Sequence, residues 1–139
     1  MKKIDIVIVN WNAGFYLQEC VESVVKYSNN LVNKIIVVDN ASTDNSLLLI
    51  NKFTELVFIK NSENLGFSRG CNIGAKICSS EYILFLNPDA RIYPNTLTNV
   101  LLFMSAKENF KVGICGVQLY NENGEIARSN SRLPTVKGI

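Results

Sequence analysis

The sequence predicts an α/β domain, a mostly parallel sheet with flanking helices in a Rossmann-like arrangement. Three observations carry that prediction. Short runs rich in Ile and Val alternate with stretches of helical spacing, the order of repeated βα units. Those runs show little polar alternation, as expected of strands buried on both faces. Three of them also break into polar clusters at their carboxyl ends. Residues 4–9 run into Asn10-Trp11-Asn12, residues 35–38 into Asp39-Asn40-Ala41-Ser42-Thr43-Asp44, and residues 82–86 into Asn87-Pro88-Asp89-Ala90. Ligands of open α/β sheets bind beyond the carboxyl ends of strands, so three such clusters describe one site. Carboxylates and amides together suit a nucleotide and a metal.

The elements follow in order. Strand 4–9 precedes an amphipathic stretch with Leu17, Cys20, Val21, Val24 and Val25 at helical spacing. Strand 35–38 leads into Ser42, Thr43 and Asp44, good N-cap types, and then Leu47-Leu48-Leu49-Ile50. Residues 56–59 form a third strand, residues 67–77 a helix, and residues 82–86 a fourth strand. Pro94 suits a first helical position ahead of Leu97, Leu101 and Met104. Val112-Gly113-Ile114-Cys115-Gly116-Val117 reads as a fifth strand, and Asn121-Glu122-Asn123-Gly124 as a hairpin turn. Residues 128–139 are polar and irregular. The expectation is one domain, 1–139, that stops before its sheet is complete.

Bulk composition narrows the classes. A chain of 139 residues, 47% apolar and 19% charged, is an ordinary globular domain. The net charge of +2 comes without a basic cluster, so nucleic acid is not expected as a partner. The apolar runs are too short to span a bilayer, and Asp5 interrupts any signal-peptide pattern at the start. A cytoplasmic location is expected. Four cysteines lack CxxC spacing and histidine is absent, which excludes a zinc site or a Cys–His nucleophile. Cys20 on a helix face and Cys115 within a strand are expected as buried thiols. Any general base must then be Asp or Glu.

Three constellations carry chemistry. Asp39 ends the second strand, where a carboxylate can accept hydrogen bonds from a ligand N–H or sugar hydroxyls. The competing role is a cap for the next helix, but Asp39 precedes that helix by several residues, which favours the ligand. In Asn87-Pro88-Asp89 a strand-end carboxylate suits Mg²⁺ or Mn²⁺, held by one or two carboxylates plus substrate phosphates. On the local sequence alone, a plain Asn-Pro-Asp turn is the favoured reading. Asn64-Leu65-Gly66-Phe67-Ser68-Arg69-Gly70 opens a helix whose N-terminus favours an anion. Gly66 and Gly70 permit close backbone approach, and Arg69 could pair with a phosphate. Gly74 is better explained by tight packing of that helix on the sheet.

These motifs, Val9-Asn10-Trp11-Asn12, residues 38–44, Asn64-Leu65-Gly66-Phe67 and Leu86-Asn87-Pro88-Asp89, occur in the order and spacing of family 2 glycosyltransferases. The chain resembles their bacterial rhamnosyltransferase-like branch over nearly all its length. The resemblance implies a GT-A fold, a nucleotide-diphosphate sugar donor, and divalent-metal-assisted transfer with inversion. It implies nucleotide contacts from Val9, Asn10, Asn12, Asp39, Asn64, Gly66, Arg69 and Asn87. Asn87-Pro88-Asp89 stands in the place of the family's DxD motif, and with Asn at the first acidic position Asp89 becomes the principal ligand for Mn²⁺ or Mg²⁺. The donor expected first is dTDP-rhamnose, followed by UDP-sugars and GDP-sugars. The expected acceptor is a saccharide or lipid-linked intermediate of a cell-surface polysaccharide, reached at the inner face of the membrane. The family's carboxylate base is expected beyond residue 139, because Glu122 and Glu125 fit a solvated turn.

Two further readings compete. A non-catalytic nucleotide-binding remnant or interaction module would share every motif but lack the base. A phospho-accepting receiver-like domain would need an acidic pair after strand one, where Asn10-Trp11-Asn12 stands, and is rejected. An incomplete sheet would leave apolar surface or an open edge, so homo-oligomers are expected.

Overall fold

The computed structural model describes residues 3–127. Four parallel strands form the sheet: β1 (Ile4–Asn10), β2 (Val32–Asp39), β3 (Leu56–Lys60) and β4 (Tyr82–Leu86), in the order β3-β2-β1-β4. Between and after them run α1 (Phe15–Tyr27), α2 (Ser46–Ile50), α3 (Phe67–Ala75) and α4 (Thr96–Ser105). The register aligns Asn10 with Asp39, so the polar ends of the two central strands lie side by side. Strand order reverses between β1 and β4, which are also directly paired.

The sheet is covered on both faces. Ile4, Ile6, Ile8, Ile35 and Val37 pack with Leu17, Cys20, Val21 and Val24 of α1, Ile50 of α2, and Leu97 and Leu101 of α4. Val7, Val9, Ile36 and Val38 face α3, where Cys71 joins them. This is why β1 carries no polar alternation: every one of its seven residues is buried. Helix α3 lies very close to the sheet. A Cβ on Gly70 would come within 2.7 Å of Val9 Cγ1, and one on Gly74 would meet Val7 Cγ1. Packing accounts for Gly70 as well as Gly74.

Asp5, the charged residue within β1, is fully buried at the amino end of the sheet. It accepts hydrogen bonds from the backbone N–H groups of Ser79 and Ser80 at 2.6 and 2.9 Å and from Asn33 Nδ2 at 3.0 Å. Burial pushes its pKa up, but those hydrogen bonds outweigh burial and hold the carboxyl below its ordinary range. The residue thereby ties the turn after α3 to the start of β1.

Three local expectations are corrected. Residues 112–117 form no strand, and Ile114 is 92% exposed. A strand exists only through a partner, and Gly113 and Gly116 weaken this run further. Cys115 is consequently exposed rather than buried. Pro94 lies ahead of α4 rather than in its first turn: Asn95, with φ of 65°, is the N-cap, and the helix begins at Thr96. Neither Ser42 nor Thr43 caps α2. Its N-cap is Asn45, and Asp44 Oδ1 accepts the Ser46 N–H at 3.1 Å. The expected hairpin is present, pairing β5 (Leu119–Tyr120) antiparallel with β6 (Ile126–Ala127) around Gly124 at φ of 78°.

Candidate functional site

The polar strand ends build two adjoining groups. The first is a hydrogen-bonded network over the ends of β1, β2 and β3. Asn10 is fully buried, and its Nδ2 lies 2.8 Å from Asp39 Oδ1 and 2.9 Å from both Ser42 Oγ and Ser46 Oγ. Asp39 Oδ2 accepts the Ser42 N–H at 3.1 Å. The carboxylate therefore closes the β2–α2 loop and orients Asn10, and each of its oxygens keeps acceptor capacity. Asn10 Oδ1 has no hydrogen-bond partner, the one such buried side-chain N or O atom among the described residues. An unmet buried acceptor is costly unless a water or ligand donor reaches it.

Neighbouring residues lock this network in place. Asn12, at φ of 52°, accepts the Thr43 N–H at 2.7 Å and donates its own N–H to Ser42 Oγ at 3.0 Å. Asp44 Oδ2 accepts the Gly14 N–H at 2.8 Å. Asn40, also buried, donates Nδ2 to the Gly66 carbonyl at 3.2 Å and accepts from Asn61 Nδ2 at 2.8 Å. Asn64 Oδ1 accepts the Gly66 N–H at 2.9 Å, and Gly66 itself has φ of 80°. The start of α3 is thus tied to the ends of β1 and β2. Val9 is buried against α3. Arg69 is exposed and makes no ion pair among the described residues.

The second group is a cavity of about 650 Å³ lined by Ala13, Tyr16, Asn87, Pro88, Asp89 and Glu122. It lies beyond the carboxyl ends of β1 and β4, where strand order reverses, the position at which open α/β sheets bind ligands. Its size falls in the ordinary range of ligand pockets. Asn87 and Asp89 lie in a turn closed by the Ala90 N–H to the Asn87 carbonyl at 3.1 Å, and Cys20 Sγ donates to that carbonyl at 3.4 Å. Burial, and then the negative charge of Asp89, push the Cys20 thiol up to about 12, so it is an inert packing group beneath the turn. Among the described residues no three His, Cys, Asp or Glu side chains cluster as a metal cage.

Sequence reading found the strand-end residues but missed several that build the site. Asn40, Asn61 and Ser46 complete the network. Tyr16 lines the cavity from the first turn of α1, and Ala13 from the loop before it. Glu122 does sit in an exposed turn, yet the chain returns that turn to the mouth of the Asp89 cavity. Tyr16 could have been flagged because it flanks the Leu17–Cys20–Val21–Val24 stripe. No local signal marks Glu122.

A family model described as Glycosyl transferase family 2 matches residues 5–137. The chain belongs to that family. It is 28% identical over 137 residues to the uncharacterized glycosyltransferase YibD of Escherichia coli K12, covering 96% of this chain and 38% of that protein. It is 31% identical over 116 residues to the poly(ribitol-phosphate) beta-N-acetylglucosaminyltransferase TarP of Staphylococcus aureus, covering 78% and 34%. The crystal structure of S. aureus TarS 1–349 in complex with UDP-GlcNAc is similar with a TM-score of 0.67 at 25% identity, over 73% of this chain and 31% of that one. The fold of this family 2 chain is GT-A, represented by its parallel sheet and flanking helices. The chain spans less than half the length of the first curated relatives it matches.

Proposed function

We propose that this family 2 chain is the donor-binding part of a glycosyltransferase that moves a sugar from a nucleoside diphosphate to a cell-surface saccharide acceptor. The observation that carries the reading is the cavity at the β1/β4 reversal, with Asp89, which has no ion-pair partner among the described residues, in its wall. The network over β1 and β2 adjoins it, and the orphan Asn10 Oδ1 there offers an acceptor to a nucleotide donor group. The relatives support the polymer side: TarP carries poly(ribitol-phosphate) in its name. TarS has been seen with UDP-GlcNAc.

A divalent cation fits the residues present. Magnesium and manganese need no protein cage, since one or two carboxylates plus substrate phosphates suffice. Asp89 would hold the ion, with the donor's phosphates and water supplying the remaining ligands. When bound, such an ion neutralises diphosphate charge and favours departure of the nucleotide. Around it, Asn10 and Asp39 fix the nucleotide end, and the start of α3 presents Arg69 towards solvent for an anion. Inverting transfer requires a carboxylate base, which we assign to the parent protein outside this chain, so the 139 residues bind donor without turning it over.

For the donor, the resemblance to the rhamnosyltransferase-like branch makes dTDP-rhamnose the first candidate, and UDP- and GDP-sugars are the alternatives a titration separates. Free thiols at all four cysteines suit a reducing compartment, so we place the chain on the cytoplasmic side, at the inner face of the membrane in the parent enzyme. Among the described residues no helix is long and apolar enough to cross a membrane. Asp89→Ala should remove the Mn²⁺ dependence of nucleotide binding while thermal unfolding stays unchanged. Nucleotide affinity that responds to Mn²⁺ equally in wild type and variant would contradict the assignment.

A further inference from the structure

The cavity has two chemically different sets of lining residues. Asn87, Pro88 and Asp89 come from the turn after β4; Tyr16 comes from the first turn of α1 and Glu122 from the β5–β6 turn. Tyr16 is 56% exposed and belongs to neither core cluster, so its ring is available to the cavity. Glu122 differs from its neighbour Glu125, whose carboxylate accepts from Asn121 Nδ2 at 3.0 Å inside the turn. Asn121 Oδ1 also accepts the Asn123 and Glu125 N–H groups at 3.0 and 2.9 Å, which holds the turn in shape. Glu122 makes no hydrogen bond of its own among the described residues. A hydrogen-bonded turn therefore delivers a carboxylate without a partner among the described residues to a cavity that an exposed ring also lines.

We propose that Tyr16 and Glu122 form the wall that receives the donor's glycosyl group, and so govern which sugar is accepted. The inference rests on the donor-site reading above and adds its sugar end. A pyranose presents two chemistries: C–H faces that pack on an aromatic ring, and hydroxyls that donate to a carboxylate. Tyr16 supplies the first and Glu122 the second. A diphosphate would be repelled by Glu122, so the phosphates are assigned to Asp89, where a bound cation would offset their charge. A nucleobase is better served by the Asn10–Asp39 network on the far side of β1. The neutral, hydroxyl-rich part of the donor is what remains for Tyr16 and Glu122.

The test is calorimetric titration of the 139-residue chain and its Tyr16→Ala, Tyr16→Phe and Glu122→Gln variants in Mn²⁺. Each is titrated with UDP and UDP-GlcNAc, dTDP and dTDP-rhamnose, and GDP and GDP-mannose. Both positions are exposed, so the variants should fold, and unchanged affinity for the bare nucleotide verifies it. The expected result is a tighter complex for one nucleotide sugar than for its nucleotide. That gain should fall about tenfold in Tyr16→Ala and about fivefold in Glu122→Gln, and persist in Tyr16→Phe. A gain that survives in both Tyr16→Ala and Glu122→Gln, or a wild type that binds nucleotide with no gain from any sugar, overturns this inference alone. A wild type that binds no nucleotide at all overturns the donor-site reading and this inference with it.

Discussion

At the residue scale the strand-end amides and carboxylates were legible, but their division of labour was not. Asp39 could be located at the end of β2 from the apolar run before it. Only the structure shows that its two oxygens serve Asn10 Nδ2 and the Ser42 N–H, because those partners are 29 and 3 residues away. Asp5 shows the same limit at the other end of the sheet. In the sequence it is a charge that interrupts an apolar run; in the fold it is a buried acceptor for three donors. Its lowered pKa fixes the sign of its pH dependence. A carboxylate depressed in the folded state stabilises fully at pH values above its unfolded pKa and loses that contribution as pH falls through the folded value. Asp5→Asn should therefore lower unfolding stability at pH 7 by about 1–3 kcal/mol. The difference from wild type should shrink in acid below the ordinary value of 3.8. Denaturant titrations at pH 7 and in acid measure both, and equal stability of the two proteins at pH 7 would contradict the role.

At the element scale β4 was readable to the residue, since Tyr82–Leu86 is an apolar run bounded by Glu81 and the Asn-Pro turn. Residues 112–117 are also mostly apolar, though interrupted by Gly113 and Gly116, and form no strand. An apolar run states that a segment can be buried, not which partner buries it. Helix α3 illustrates what spacing can reveal: glycines four apart put one small face on the sheet, and Val7 and Val9 fill the space a methyl would need. Gly74→Ala gains helix propensity of about 1 kcal/mol, but overpacking against a β-branched neighbour costs about 1–3 kcal/mol. Loss of stability on chemical denaturation is the expected balance. Because α3 carries Arg69 and is anchored through Gly66 to Asn40, nucleotide affinity should fall with it. A Gly74→Ala protein as stable as wild type would show that α3 is less tightly seated than described.

At the scale of the whole molecule, the helices that pack on both faces of the four-stranded sheet leave apolar surface on β4 uncovered. Helix α3 contacts β1 and β2. On the same face of β4, Ile83 and Phe85 remain 38% and 46% exposed. Apolar surface beside a sheet edge promotes pairing between chains. The isolated 139-residue chain should therefore self-associate as concentration rises, and Phe85→Lys should shift it towards monomer. Light scattering over a concentration series measures this, and a wild-type monomer at the highest concentration would remove the argument. The polar side of the molecule carries the central claim, that the ends of β1, β2 and β4 form a donor half-site requiring no further residues to recognise a nucleotide. Its most direct measurement is isothermal titration of the wild-type chain with dTDP, UDP and GDP, each with and without Mn²⁺. Saturable binding of one nucleotide that strengthens with Mn²⁺ is the predicted result. Absence of binding by all three, with the chain folded by circular dichroism, would contradict it.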